Sequence, residues 1–260
     1  MRFLRAAFRN LAMFFNKSGK LLNGYKFMCN GSVLEVTKEY QYLGIKFTPS
    51  GSMVVAVDEL CTKASRAWFS FSNIIYTNKR MPVQQAFELF DSLVSPVALY
   101  ASEFWLPCIM QKKCFSSEQN FLQFWETLKC ETVHQRLCRM LLSVHSKSSR
   151  LAVLGNLGRH PMLVRGLQSC LSYRHSLASK PGSSLASLAM AEMTVLVGQG
   201  KDCWLARVQN IERLLKVPTF HSRYTSKIVS RHIKNRFESF WLQVIKAPKF
   251  TPDGINHSKL

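Results

Sequence analysis

The spacing of hydrophobic side chains divides this chain into a short strand-like part and a long helical part. Residues 43–47 (Leu-Gly-Ile-Lys-Phe) place apolar side chains at every second position, which predicts a half-buried strand. A turn rich in Pro, Gly and Ser follows at residues 48–52. Beyond it, nearly every segment carries apolar residues at helical spacing. We therefore expect a mainly α fold, a multi-helix bundle with a small N-terminal β-hairpin and strand portion.

The residues before this strand predict further short β structure. Residues 11–15 form an apolar run that ends in a turn at residues 16–20. Residues 25–29 lead into Asn30-Gly31, a pair that suits the two positive-φ positions of a type I′ hairpin turn. Two or three strands without a packing layer are marginal in water, so this part is too small to be a domain alone.

The apolar periodicity of the remainder predicts a series of helices. Their expected ranges are 54–76, 82–105 with a kink at Pro96, 117–144, 151–157, 161–177, 185–197, 201–216 and 224–245. The large aromatic residues fall on the apolar stripes of these helices, so we predict that they pack in the core rather than stack on bases. They are Trp68, Phe71, Phe90, Trp105, Phe121, Trp125, Phe240 and Trp241.

The amino-acid composition gives the chain a large positive net charge. The 260 residues are 47% hydrophobic, enough for a real core, yet 35 Lys and Arg against 15 Asp and Glu give a net charge of +20. The surplus lies in residues 1–51 and 106–260, whereas residues 52–105 are nearly neutral. This balance favours a polyanionic partner, most simply nucleic acid. Solvated charges on a basic protein are the alternative.

The cysteines and the N-terminal residues indicate the cellular compartment of the protein. The eight cysteines include no Cys-x-x-Cys pair and mostly fall among apolar helical positions, which indicates reduced core thiols in an intracellular protein of the nucleus or cytoplasm. Residues 1–9 are Arg-rich, and no acid precedes Glu35, so mitochondrial import is a minor alternative. No run of 18 apolar residues occurs, so we predict no membrane partner.

The residue types needed for catalysis are sparse. A two-metal site needs clustered carboxylates, but the four aspartates are far apart in sequence: Asp58, Asp91, Asp202 and Asp253. Cys130, His134 and Cys138 share one helical face, and we interpret them as core residues because no fourth ligand is near. No dinucleotide, P-loop or nucleophile-elbow motif is present. We therefore predict no catalytic residue, metal, cofactor or small-molecule substrate.

Six stretches, in order, resemble the C-terminal half of the reverse transcriptase of non-LTR (LINE-type) retrotransposons. Residues 13–20 resemble a late palm strand, and residues 40–45 (Tyr-Gln-Tyr-Leu-Gly-Ile) resemble the (K/Q)YLG(I/V) strand of the primer-grip hairpin. The other four are helical: residues 60–67, 89–105, 134–142 and 152–161. The chain departs from the family pattern at Ala101 and Ser143, where the family has Gly, and at Asn156, where it has Glu.

This resemblance implies a domain arrangement and the absence of polymerase activity. It implies a palm remnant with a primer-grip-like hairpin at 1–52, a thumb-like helical domain at 53–180, a helical extension at 181–247 and a tail at 248–260. In the family, the catalytic aspartates lie N-terminal to the late palm strand, whereas no aspartate precedes Tyr42 here. We therefore expect a fragment that lacks the polymerase active site.

The resemblance also implies where nucleic acid would bind. The primer-grip-like residues are Tyr42, Leu43 and Gly44. Basic residues on helical faces would contact phosphates of RNA or of an RNA–DNA duplex, weakly and without sequence preference. These residues are Lys63, Arg66, Lys129, Arg136, Arg139, Lys147, Arg150, Arg223, Lys227, Arg231 and Lys234. The alternative is a helical protein-interaction or scaffold module without nucleic-acid binding; the sequence leaves the oligomeric state open.

Overall fold

The fold was analysed in a computed structural model, which describes residues 11–16, 18, 26–78, 81–110, 112–217 and 226–246. The chain divides into two compact units, one ending at Glu59 and one beginning at Leu60. The Arg-rich residues 1–9 and the predicted tail at 248–260 lie outside the described residues.

The first unit contains the predicted β structure. A three-stranded sheet has the order β1-β3-β2, built from β1 (Leu11–Ala12), β2 (Phe27–Cys29) and β3 (Ser32–Val36). Strand β1 runs parallel to β3, and β2 runs antiparallel to it. Asn30 and Gly31 connect β2 to β3 with φ angles of 48° and 77°. Both central φ angles are positive, as a type I′ turn requires, so the hairpin predicted from Asn-Gly is confirmed.

A second hairpin replaces the continuous strand expected at residues 43–47. It pairs β4 (Tyr40–Tyr42) with β5 (Ile45–Phe47), and Tyr42 lies opposite Ile45. Leu43 and Gly44 form its two-residue turn, with φ angles of 47° and 82°. The strand prediction was wrong at these two positions, because alternating hydrophobicity does not distinguish a strand from the tip of a tight hairpin.

The described part of the chain is mainly helical, as predicted. The helices are α1 (Val54–Thr77), α2 (Val83–Leu93), α3 (Ser95–Ala98), α4 (Ser102–Ile109), α5 (Glu118–Gln123), α6 (Lys129–Leu142), α7 (Arg150–Asn156), α8 (Met162–Ala178), α9 (Leu185–Gly198), α10 (Trp204–Leu215) and α11 (Ser226–Lys246). Short 3₁₀ turns occupy Lys112–Phe115 and Phe124–Thr127.

The single kinked helix predicted over residues 82–105 is three helices. Pro96 lacks an N–H and sits in the first turn of α3, so the helical hydrogen-bond ladder is interrupted between α2 and α3. A second break occurs before α4, where Ala101 adopts the left-handed conformation with φ 53°. The apolar period continues across both breaks, which explains why the sequence pattern did not reveal them.

The helix predicted over residues 117–144 is also interrupted. Ser117 caps α5 by accepting a hydrogen bond from the Asn120 N–H. The Thr127 hydroxyl then donates to the carbonyl of Phe124 at 2.8 Å, and Leu128 is extended. A threonine side chain that bonds to a nearby carbonyl competes with the helical ladder. A new helix, α6, therefore begins at Lys129. It ends at Leu142 and is capped by Ser143, which has φ 53°.

Helix α8 is the centre of the second unit. It packs against α4, α6, α9, α10 and α11, and its buried residues are Met162, Leu163, Val164, Gly166, Leu167, Cys170, Leu171 and Leu177. Gly166 permits the close approach of α4, since a Cβ added there would lie 2.9 Å from Leu106 Cδ2. Helices α9, α10 and α11 pack in the same compact unit as α8.

The predicted core aromatics Trp68, Phe71, Phe90, Trp105, Phe121, Trp125, Phe240 and Trp241 are all buried. Within the described ranges, no single helix is long and apolar enough to cross a bilayer. Among the described helices, α2–α3 and α4 taken together have the length and apolar composition of a span, but they are bent by 64° at the break between them.

Candidate nucleic-acid interface

Most of the described carboxylates in the second unit contact Arg, Lys or His side chains of the same unit. Asp91 pairs with Arg159 and Arg165, and Glu118 pairs with Arg236 and Lys216. The remaining pairs are Arg174–Glu212, Arg207–Asp202, His160–Glu238 and His134–Glu131. The surplus of cations on this unit is therefore not neutralised by the acids that it contains.

One group of predicted contact residues lies on the outer face of α6. Lys129 and Arg136 are both exposed and lie two helical turns apart. A rise of 1.5 Å per residue separates their Cα atoms by about 10.5 Å along the axis. The opposite side holds the buried Cys130, His134 and Cys138, so the basic face is fixed in orientation by the core.

Two other predicted contact residues instead stabilise the loop after α6. Arg139 Nη2 donates to the carbonyl of Ser148 at 3.0 Å, and Arg150 Nη1 donates to the carbonyl of Glu126 at 2.7 Å. Each guanidinium is thus partly occupied by backbone. Their geometry assigns them a positioning role, because they hold the loop that presents the exposed Lys147 beside α6.

On α1, Arg66 is exposed and Lys63 is half-buried. Both belong to one face, since they are three residues apart on a continuous helix. This pair lies within one turn, so it offers a smaller charged surface than α6.

Helix α11 carries the third group. Lys227, Arg231 and Lys234 are exposed at positions i, i+4 and i+7, which places them on one side of the helix. Arg223, predicted to belong to this group, lies outside the described residues. The inner face of α11 is fixed by the fully buried Ile233 and Phe237.

Hydrogen bonds show which side of α11 adjoins α8. Gln168 Nε2 donates to Ser230 Oγ at 2.7 Å, and His160 Nε2 lies 3.1 Å from Glu238 Oε1. The two helices are therefore antiparallel, and Lys234 is one turn from both Ser230 and Glu238 on the same side. Burial lowers the pKa of His160 despite the opposing effect of the Glu238 carboxylate, and nearby Lys234 lowers it further.

The sequence analysis did not single out Arg165, which lies one helical turn before Gln168, the α8 residue that contacts Ser230 of α11. Arg165 on α8 donates through Nη2 to the Asp91 carboxylate and through Nη1 to Ser95 Oγ at 3.2 Å, and its side chain is 39% exposed. Its position within an apolar helical segment gave no sign of exposure. Spacing cannot identify such a residue, because its role depends on Asp91 and Ser95, more than 65 residues away.

In the first unit, the hairpin tip places the predicted primer-grip-like residues at the surface. Tyr42 is 57% exposed and Leu43 is 72% exposed, while Gly44 provides the second turn position. Lys46, beside this tip, lies 3.2 Å from Glu39 and 3.5 Å from Glu59. Hydrogen bonding and attraction to these carboxylates raise the pKa of Lys46.

The carboxylates are dispersed rather than convergent. Over the described ranges, no group of three or more His, Cys, Asp or Glu side chains is placed to hold a metal ion. Cys130, His134 and Cys138 are buried, as expected of core residues. His134 Nδ1 instead lies 2.8 Å from Glu131 Oε1, and Glu131 Oε2 accepts the N–H of Met162 at the start of α8.

Comparison of the chain with protein-family models, with curated proteins and with solved structures found no match in any of the three. The functional interpretation accordingly depends on the sequence motifs and on the geometry described above.

Proposed function

We propose that this chain is a non-catalytic fragment related to the reverse transcriptase of non-LTR retrotransposons, and that it binds RNA or RNA–DNA duplexes through basic helical faces. One observation carries the binding proposal. Most of the described acids of the second unit contact basic side chains of that unit, whereas Arg136, Lys227, Arg231 and Lys234 are exposed on helices.

Phosphate binding needs cations on a rigid surface and no particular base-reading group. The helical faces provide that rigidity, because each has a buried opposite face. Affinity of this kind is sequence-independent, and its dissociation constant is on the order of 10⁻⁴–10⁻⁶ M at physiological salt. A-form duplexes suit such a surface because they are recognised mainly by shape and backbone.

The binding proposal is tested by fluorescence anisotropy of the full chain with a labelled RNA–DNA hybrid of about 20 base pairs. We expect the logarithm of the association constant to fall linearly as the logarithm of salt concentration rises, with equal affinity for a hybrid of shuffled sequence. Absence of binding at 50 mM salt would contradict the proposal. A fixed salt concentration is needed for every comparison, because affinity without it has no meaning.

The non-catalytic part of the proposal is tested separately. In a primer-extension assay with Mg²⁺ or Mn²⁺, we expect no nucleotide incorporation, since two-metal catalysis needs carboxylates that hold both ions. Incorporation that survives further purification of the protein would refute this part and leave the binding result unaffected.

A second candidate function, a helical protein-interaction or scaffold module, is favoured by α9. This helix is apolar over 14 residues and has no buried residue; Leu185 is 85% exposed, Leu188 56% and Val195 53%. An apolar helix normally buries its surface in a core, a membrane or a partner. Salt-insensitive association with a protein, together with no hybrid binding at 50 mM salt, would favour this candidate over the first.

A further inference from the structure

Two groups of basic residues could provide the principal phosphate contacts, and their surroundings differ. The first consists of Lys129, Arg136 and Lys147, at α6 and the loop after it. The second consists of Lys227, Arg231 and Lys234 on α11, next to Arg165 of α8. We call the second group with Arg165 the α8–α11 edge. Both groups offer three exposed Lys or Arg residues, so charge number alone does not rank them.

The α8–α11 edge includes an arginine that is held in place by side chains of α2 and α3. The Arg165 guanidinium has five N–H groups, and the described contacts, to Asp91 and to Ser95, occupy two of its nitrogens. At 39% exposure, the same side chain still reaches solvent. A planar guanidinium fixed in this way loses little entropy when it donates to a phosphate.

The neighbouring carboxylates do not cancel this charge. Asp91 is shared by Arg165 and Arg159, so two cations face one anion. Glu238 adds a second anion, and its neighbour His160 does not offset it, because burial lowers the pKa of that ring. Two carboxylates then face five cations, the two arginines and the three basic residues of α11. The three α11 cations remain exposed beside this pair of residues. The edge therefore keeps a local positive surplus, and a polyanion is its natural partner.

The dimensions of the α11 stripe suit a nucleic-acid backbone. Seven residues of helix separate Lys227 from Lys234, a rise of about 10.5 Å. Successive phosphates of one strand advance about 3.4 Å along a duplex axis. The stripe is therefore long enough to follow about three phosphates of one strand, with Arg165 to one side.

On the α6 surface, by contrast, the two additional arginines bond to backbone carbonyls, Arg139 to Ser148 and Arg150 to Glu126. Each uses one guanidinium nitrogen in these bonds, which hold the loop that carries Lys147. The α6 group is therefore divided between a helix and a loop, whereas Lys227, Arg231 and Lys234 share one helix.

We infer that the α8–α11 edge is the principal contact surface of this protein for the phosphate backbone of a nucleic-acid duplex. This inference rests on the proposed function and adds to it the location of the contacts and the participation of Arg165.

The test compares two triple variants of the full chain that remove the same number of charges. The first is Lys227→Gln, Arg231→Gln, Lys234→Gln, and the matched control is Lys129→Gln, Arg136→Gln, Lys147→Gln. All six positions are exposed, and circular dichroism verifies that both variants fold. Each is titrated against the RNA–DNA hybrid at several salt concentrations.

We expect the α11 variant to lose at least about tenfold in affinity at 100 mM salt. Its salt dependence should also weaken by roughly 0.7–0.9 in slope for each lost contact. The control should lose less than about threefold. Equal losses, or a greater loss in the control, would overturn the inference while leaving the proposed function intact. If the unsubstituted chain fails to bind at 50 mM salt, the proposed function and the inference both fail.

Arg165 is tested on its own, with Arg165→Gln and Arg165→Lys. We expect Gln to reduce affinity about three- to tenfold, and Lys to restore the salt slope but only part of the affinity, because a point charge lacks the planar fork. Unchanged affinity in Arg165→Gln would remove this residue from the site. Thermal unfolding of both variants distinguishes a binding role from mere loss of the contact with Asp91.

Discussion

Arg159 and Asp91 form a two-pronged ion pair across 68 residues of sequence. Nη2 of Arg159 lies 2.7 Å from Oδ1 of Asp91, and Nη1 lies 3.0 Å from Oδ2. The Arg159 guanidinium also stacks over the Phe87 ring, 4.4 Å from its centre. This pair links α2 to the segment between α7 and α8. Both residues belong to stretches on which the proposed relationship to retrotransposon reverse transcriptases depends, so under that proposal we expect this ion pair to be a structural feature of the family.

Replacing Asp91 with Asn should destabilise the second unit by about 1–2 kcal/mol, because Arg159 and Arg165 would lose their shared counter-charge while partly buried. Burial alone would raise the pKa of Asp91, but the hydrogen bonds from Arg159 and Arg165 outweigh it, and the pKa is lowered. The carboxylate therefore adds stability above its unfolded pKa of about 3.9 and loses that contribution as the pH falls further. Urea unfolding of the unsubstituted chain and of Asp91→Asn at pH 7 and pH 3 measures this contribution; the difference in free energy of unfolding between them should be smaller at pH 3.

The matched control for Asp91 is Glu88→Gln on the same helix. Glu88 is exposed and accepts a hydrogen bond from Gln84, so its replacement should change stability by less than about 0.5 kcal/mol. If Asp91→Asn and Glu88→Gln change the free energy of unfolding equally, the ion pair contributes no more to stability than an exposed carboxylate does.

Replacing Ala101 or Ser143 with Gly should each raise the free energy of unfolding by about 0.5–1 kcal/mol. Both residues have φ 53°, a left-handed conformation that costs a residue with a Cβ more than it costs Gly. They are also the two positions at which the resembled family has Gly. Thermal or urea unfolding measures the change. Ala191→Gly, at an exposed position inside α9, should have the opposite sign and destabilise by about 0.5–1 kcal/mol.

The buried His134–Glu131 pair should make stability depend on pH in the alkaline range. Burial disfavours a charged imidazole, but attraction to the Glu131 carboxylate outweighs it and raises the pKa of His134 to about 9. A pKa above the unfolded value of about 6.5 means that the contribution is complete below pH 6.5 and is lost as the pH rises toward 9. The loss should amount to roughly 3 kcal/mol.

Urea unfolding at pH 6, 7.5 and 9.5 checks this, with His134→Gln as the comparison. Cysteine thiols of the unfolded chain also titrate near pH 8.5, so only the difference between the two proteins isolates the histidine. A pH profile of the variant that parallels the unsubstituted chain would contradict a charged pair in the core.

The hairpin tip offers a test in the first unit. Leu43 has φ 47° and is 72% exposed, so Leu43→Asn should stabilise the type I′ turn by about 0.5–1 kcal/mol, because Asn tolerates the left-handed region. Gly44→Ala should act in the opposite direction. Amide hydrogen exchange of Tyr42 and Ile45 measures both changes locally. Faster exchange in Leu43→Asn would show that the leucine side chain makes contacts that matter more than its backbone strain.

Local sequence information determined much of this protein. The Asn30-Gly31 turn, the span of α1, and the start of α8 after Pro161 follow from backbone preferences of the residues themselves. The burial of Trp105 and Trp125 follows from their position on an apolar stripe. The surplus of Lys and Arg is equally a property of composition.

Tertiary structure decided which charges remain available. Arg139 and Arg165 both lie on helices, yet the first bonds to the loop carbonyl of Ser148 and the second bonds to Asp91 and is 39% exposed to solvent. It also decided that Leu43 forms a turn rather than a strand. Hydrophobic periodicity indicates which side of an element faces the core. A salt bridge depends on residues far apart in the chain, and only the packing of the folded protein brings them together.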